Sequence, residues 1–414
     1  MNFKSIIATA IACLWLCAAT HAAETIKIAH MDPLSGPFAL IGESFSRHLE
    51  AAAAEINAKG GVLGGKQLEI VHFDNKSSPQ ESVLLLKQIT DSGIRYLTQG
   101  AGSNVAHALS EALSKHNSRN PGNSVLYFNF AAQDPALTNE KCNFWHFRFD
   151  AHVDMKLDAI TNYIARQKDI KRVYLLNQDY AFGQAISKAA REMLTKKRPD
   201  IEIVGDDLHP LGKVKDFSPY IAKIKASKAD TIITGNWGAD MTLLVKAAGD
   251  SGLDAQFYTY YGLSPGAPTV MGKAAIDHMK GIWRWHWNLP IESERRAADR
   301  YKRRFNLEYY ALPINNLFDM LTVAVERVAS TDAVKVAYAL EDLRIKTGMG
   351  EAWMRPDDHQ LFEPLYILSM VEADGVAVKY DVENTGVGTK TDERIEVKDL
   401  LLPTQCKMVR PPKH

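Results

Sequence analysis

Two successive series of β-rich runs alternating with amphipathic helices fill residues 25–260, and this rhythm restricts the fold more than any other feature. In the first series the strands are 25–30, 67–74, 96–99 and 125–130, separated by helices over 42–58, 79–92 and 104–115. In the second, helices 153–167, 183–196, 217–226 and 241–251 alternate with strands 173–177, 201–206, 231–235 and 256–260. Strand, helix, strand at this spacing means parallel sheets joined by crossover helices. Each series is about one domain long, so the expected fold is α/β, with two doubly wound parallel-sheet lobes. Ligands of open α/β sheets bind beyond the carboxyl ends of the strands. Two facing lobes therefore enclose a cleft between two such edges.

The N-terminus bears on where the chain works. Lys4, the apolar run 6–19 and Thr20-His21-Ala22-Ala23 form the n-region, h-region and small-x-Ala site of a secretory signal peptide. Cleavage is expected after Ala22, with Ala23 as the alternative. The h-region is shorter than the roughly 20 apolar residues of a membrane span. A lipid anchor at Cys17 is disfavoured by the bulky Leu16 before it. The mature chain is thus expected in the periplasm. Cys13 and Cys17 leave with the signal, and in an oxidising compartment the remaining Cys142 and Cys406 are expected to form one disulfide, with two buried thiols as the alternative. That bond would tie the C-terminal tail to the middle of the chain.

A mature chain of about 390 residues suits two or three domains. Hydrophobic residues at 46% and charged residues at 24% are those of an ordinary globular protein. The formal charge is +0, and loss of Lys4 leaves −1. No basic patch suggests nucleic acid or an anionic membrane surface. The charged stretch 292–304 carries both signs and reads as a solvated helix face.

Among local motifs, Gly60-Gly61-Val62-Leu63-Gly64-Gly65-Lys66-Gln67 imitates a phosphate loop but leaves a helix to enter a strand, and Gln67 stands where a metal-binding hydroxyl is required. It reads as a glycine-rich turn. Gly100-Ala101-Gly102-Ser103-Asn104 runs the other way, from strand to helix, with Ser103 expected at the N-cap. Small residues, a hydroxyl and free first-turn amides suit a carboxylate there, or else a simple helix cap. Trp283-Arg284-Trp285-His286-Trp287 alternates as a strand would, which puts three indoles on one face, and at least two of them read as core. Asp357-Asp358-His359 reads as a polar turn, and no metal-ligand spacing or nucleophile motif is present. The residues supply a pocket without catalytic chemistry, and no cofactor is expected.

A set of short motifs, ordered along nearly the whole mature chain, resembles the periplasmic leucine/isoleucine/valine-binding family, the solute receptors of ABC importers. They include Pro33-Leu34-Ser35-Gly36-Pro37, Ala54-Glu55-Ile56-Asn57-Ala58-Lys59-Gly60-Gly61 and Asp74-Asn75-Lys76-Ser77-Ser78-Pro79. Others are Ala131-Ala132-Gln133-Asp134-Pro135, Asp179-Tyr180-Ala181-Phe182-Gly183 and Lys215-Asp216-Phe217-Ser218. The resemblance implies the type I periplasmic binding protein fold, with three strands crossing between the lobes near Asp150, Trp285 and His359. One lobe would take 23–150 and 286–359, the other 151–285 and 360–414 with the tail. It implies ligand contacts from Ser103, Ala131, Ala132 and Gln133 on one side, and from Tyr180, Phe182, Trp237 and Tyr261 on the other.

Two departures bear on the ligand. Tyr261 stands where amino-acid binders of the family place an acid for the ligand's ammonium, and Gln133 replaces a small hydroxyl residue. Burying an ammonium unpaired costs several kcal/mol, comparable with the whole of a micromolar affinity. Asp179 or Asp240 would have to supply the missing charge. The expectation is a monomeric receptor that closes on a small carboxylate ligand, an aromatic or branched acid or a hydrophobic amino acid, and docks on an inner-membrane permease. The alternatives are a sensory receptor on the same fold and a secreted enzyme.

Overall fold

The computed structural model describes residues 25–310 and 312–413. The expected signal peptide lies outside them. The first unit contains strands β1 (Thr25–Asp32), β2 (Gln67–Asp74), β3 (Tyr96–Gln99), β4 (Leu126–Asn129) and β5 (His146–Arg148). They form one parallel sheet in the order β2-β1-β3-β4-β5. Helices α1 (Ala39–Ala58), α2 (Pro79–Asp91) and α3 (Ser103–Arg119) are its crossovers. The start of α2 is encoded locally: Pro79 follows Ser78, whose hydroxyl accepts the Glu81 N–H at 3.2 Å. The connection from α1 to β2 turns on Gly60, Gly61, Gly64 and Gly65, all at positive φ. It is a turn and not a phosphate loop.

The second unit contains β6 (Arg172–Gln178), β7 (Glu202–His209), β8 (Thr231–Thr234), β9 (Gln256–Thr259) and β10 (Met279–Trp283). Its helices are α4 (Val153–Ala165), α5 (Ala181–Lys197), α6 (Ser218–Ser227), α7 (Gly238–Asp250) and the short α8 (Ala267–Met271). The chain then returns to pack α9 (Glu292–Phe305), α10 (Ile314–Val328) and α11 (Ala333–Leu340) beside a small antiparallel sheet of β11 (Arg344–Thr347), β12 (Gly350–Met354) and β13 (Leu361–Phe362). Helices α9 and α10 both lie on α1 of the first unit. Finally β14 (Leu365–Glu372) and β15 (Val387–Ile395) add to the second sheet antiparallel, giving the order β15-β14-β10-β9-β8-β6-β7, before the one-turn α12 (Val397–Leu400).

In each sheet the strand order reverses once: between β1 and β3, and between β6 and β8. The loops leaving those strands diverge, and a crevice opens between them. Residues 33–37 and 100–103 flank one crevice; 179–182 and 235–238 flank the other. Where the chain passes between the units, buried Arg148 donates to Gln360 Oε1 (2.7 Å) and to the Asp134 carbonyl (2.6 Å), and its own N–H bonds the His359 carbonyl (2.9 Å). Two crossing segments are thereby tied side by side.

Three local expectations change. The strand at 283–287 stops at Trp283. Trp285 and Trp287 turn into the core, 5.4 Å apart, beside Tyr309, whereas Trp283 faces Tyr261. Residues 356–358 do turn, but Asp358 and His359 are interior: Asp358 pairs with Arg355, and His359 stacks on Phe147 at 3.9 Å. The periodicity also leaves β5 and the small sheet unseen, because strands this short carry too few residues for a pattern. Cys142 and Cys406 are bonded, with Cα atoms 5.6 Å apart. The tail is also held on either side of the bond: Thr404 donates to the Thr138 carbonyl before it, and Arg410 pairs with Glu341 after it.

Candidate ligand-binding site

A cavity opens where the two crevices face each other, and all eight residues expected from the sequence line it. On the first-lobe side the loop after β3 is held by buried Asp32, whose carboxylate accepts the Gly100 N–H (3.1 Å) and the Ala101 N–H (2.6 Å). Those amides are consumed. The first open ones belong to the first turn of α3. Gly102, at φ +89°, is the N-cap, and Ser103 is the first helical residue rather than the cap. The sharp entry into the helix needs a left-handed conformation, which only glycine adopts cheaply. The Ser103 hydroxyl accepts the Asp134 N–H at 3.2 Å and so keeps its own proton for an acceptor.

The segment after β4 is shaped by Asn129, whose Oδ1 accepts the N–H groups of Ala131 (3.2 Å) and Ala132 (2.8 Å). What this segment can offer a ligand is its carbonyls and the Gln133 side chain. Gln133 Nε2 donates to Asp150 at 2.6 Å, while its buried Oε1 has no partner.

From the second lobe, Trp237 Nε1 donates to the Tyr180 hydroxyl at 2.8 Å, and Phe182 lies 5.9 Å from the Tyr261 ring. Burial pushes both phenols well up, so they stay neutral. The lobes touch across the cleft: Phe38 packs on Trp237 at 4.3 Å, and the Tyr261 hydroxyl donates to the Ala131 carbonyl at 3.4 Å.

Further polar and aromatic residues line the cavity that sequence reasoning did not place there, among them Ser44, Asp150, Lys156, Arg284 and Tyr310. Asp150 accepts from Lys156 Nζ at 2.9 Å. Arg284 makes a two-pronged pair with Glu363, both contacts at 2.7 Å. Burial opposes its charge, but Glu363 outweighs that and holds the guanidinium above its ordinary range. A signal for Lys156 did exist, since it sits among buried Val153, Met155 and Leu157 on α4. A lone cation among apolar neighbours needs a buried partner. For Tyr310 there was none. Asp179 and Asp240 do not line the cavity: Asp179 is exposed and accepts from Gln184, and buried Asp240 accepts from Gln178 and the Gly212 N–H.

The family model described as "Periplasmic binding protein" matches residues 25–375. The chain belongs to that family. Within it, Leu/Ile/Val-binding protein homolog 4 of Brucella abortus (strain 2308) is 31% identical over 436 residues, covering 99% of this chain and 100% of the relative. The crystal structure of the leucine-, isoleucine-, valine-, threonine- and alanine-binding protein from Brucella ovis, in a closed conformation, superimposes with a TM-score of 0.83 at 29% identity, covering 94% of this chain and 100% of that one. A solute-binding protein of an ABC transporter from R. palustris in complex with 4-hydroxybenzoate shares the fold, with a TM-score of 0.76 at 20% identity over 90% and 98% of the two chains. The resemblance to the leucine/isoleucine/valine-binding branch and the two-lobed fold both hold. Among the described residues of this binding protein no helix is long and apolar enough to cross a membrane.

In this binding protein the cavity's formal charges are already balanced. Lys156 meets Asp150 and Arg284 meets Glu363, one to one. The walls between are apolar, with Ile41, Phe45, Phe182, Trp237, Trp283 and Leu312 among them.

Proposed function

We propose that this chain is the solute receptor of an ABC importer of the branched-chain amino-acid type, exported to the periplasm and working as a monomer. Its two lobes close on a small carboxylic acid that lacks an α-amino group. The closed form then docks on the inner-membrane permease. The observation that carries the reading is the charge inventory of the cavity. The α3 amides and the Ser103 hydroxyl suit a carboxylate. The one acid on the wall, Asp150, is already matched by Lys156 at 2.9 Å. An ammonium would enter without a counter-charge at a cost of several kcal/mol. An aromatic ring fits the Phe182, Trp237 and Trp283 walls. The bound 4-hydroxybenzoate of the R. palustris protein is in keeping with this reading. Contacts from both lobes favour the closed state by their differential affinity.

A second reading is an aliphatic amino acid, with Asp150 leaving Lys156 to meet the ammonium. It is favoured by the position of Asp150 on the wall and by the names of the Brucella relatives. Calorimetric titration of unfolded-and-refolded protein with leucine, isoleucine and valine against aromatic and 2-oxo acids separates the two. The acids are expected to bind more tightly. Micromolar leucine with every acid silent would overturn the proposal in favour of the second reading.

A further inference from the structure

Three side chains on the cavity wall bring a buried polar atom that no protein group satisfies: Ser44 Oγ, Gln133 Oε1 and Arg284 Nη1. Each residue is at least 95% buried. A buried guanidinium nitrogen left unbonded is the costliest of the three. Arg284 is also rigidly placed. Its Nε and Nη2 are fixed by Glu363, and Glu363 is fixed in turn by Asn316 Nδ2 of α10 at 2.8 Å. Nη1 is therefore held at one spot, ready to donate. Ser44 is presented from α1, one turn before His48, which packs against Tyr309. Asn315, the neighbour of Asn316 on α10, bonds the Tyr309 hydroxyl. Ser44 and Arg284 thus belong to the α1–α10 side of the cavity, and Ser103 to the start of α3.

We propose that Arg284 is a specificity-determining residue: its Nη1, with the Ser44 hydroxyl, binds a second, uncharged oxygen of the ligand, so the solute is a hydroxy- or oxo-substituted monocarboxylic acid. This rests on the carboxylate reading of the Ser103 side. The second oxygen is uncharged because Arg284 and Lys156 each already have one carboxylate partner, and a second ligand carboxylate would be buried without compensation. A hydroxyl has the further merit of a proton for Ser44 Oγ or Gln133 Oε1.

The test compares matched acids that differ by one oxygen: benzoate against 3- and 4-hydroxybenzoate, and 3-phenylpropanoate against phenylpyruvate. Each is titrated calorimetrically into the wild type, the charge-neutral double variant Arg284→Gln/Glu363→Gln, and Ser44→Ala, which leaves the ion pair intact. The wild type is expected to prefer the oxygenated member of at least one pair by about tenfold or more, since a site built to bond an oxygen rejects the analogue lacking it. That preference should shrink to within about threefold in the double variant and fall in Ser44→Ala, while the oxygen-free member binds as before. Should the double variant not fold, Ser44→Ala alone carries the test. A preference that survives both variants makes Arg284 structural and overturns the proposal. So does an equal loss for both members, which would mean that Arg284 holds the carboxylate. Either outcome leaves the carboxylic-acid reading standing; failure of every acid to bind the wild type overturns both.

Discussion

Ser103 faces the cavity with a hydroxyl that has one bond made and one to give. Ser103→Ala removes the donor and should weaken ligand binding by roughly 1–3 kcal/mol, the range of a hydrogen bond to a charged acceptor. An unchanged Kd by calorimetry would take Ser103 out of the site. Tyr261 permits the complementary experiment. The resemblance aligns it with the acid of the family's amino-acid binders, and its neutral phenol reaches across to the Ala131 carbonyl. Tyr261→Glu restores a negative charge at that point. Leucine affinity should rise at least about tenfold, or some 1.4 kcal/mol, while carboxylic acids lacking the amino group lose affinity. If leucine binding does not respond, the position does not meet the ligand's α-substituent.

The β3–α3 element shows how a loop becomes a site. Asp32 at the end of β1 ties down Gly100 and Ala101, and Gly102 then turns the chain so that the free amides of α3 and Ser103 meet the cavity. Gly100 is required by packing and not by its backbone angles. A Cβ there would fall 2.5 Å from the Phe130 ring and 2.9 Å from Phe45. Gly100→Ala should therefore cost about 1–3 kcal/mol of stability, as overpacking does, and should also weaken binding because Phe45 lines the cavity. Chemical denaturation with a parallel titration reads both effects. A variant as stable as wild type would mean that the rings move aside freely.

At the scale of the molecule, buried histidines set an acid limit: burial pushes His146 and His152 well below the ordinary range, and His48 and His286 show how. His48 Nδ1 bonds the Ser44 carbonyl at 2.7 Å and its Nε2 faces the Tyr310 N–H at 3.4 Å, an arrangement for the neutral ring. Burial lowers its pKa to about 4, and does the same for His286 between Thr389 and Thr391. In the unfolded chain both titrate near 6.5. As pH falls below that value the unfolded state takes up protons that the folded state refuses. Stability present above pH 6.5 is then lost between about 6.5 and 4, up to roughly 3 kcal/mol for each ring. Thermal unfolding from pH 7.5 to 4.5 should show the decline, and His48→Gln should flatten part of it. The disulfide acts through the unfolded chain. Closing 264 residues corresponds to about 5.5 kcal/mol in the chain-entropy account, and a measured loss of roughly 2–5 kcal/mol is expected for the double Cys→Ser variant. No change in the denaturation midpoint would count against that account.

Most of the framework was legible in the chain itself. Strand β2, β3 and the starts of α2 and α4 stand where periodicity and punctuation put them, because β-rich runs bounded by turn residues read as strands and crossover helices as amphipathic stretches. The eight expected wall residues follow from the family's motifs at the strand ends. Apart from the Cys142–Cys406 bond, pairwise contacts between distant segments were not legible. Arg284 and Glu363, 79 residues apart, are partners only because the crossings bring them together, whereas Asp150 reaches Lys156, six residues on, through the turn into α4. Trp283 could be separated from Trp285 and Trp287 only once the strand was seen to stop. Periodicity is a property of neighbours along the chain, and it determined the elements. The balance of charge in the cavity and the three unsatisfied atoms on its wall arise between elements, so only the tertiary structure decided them.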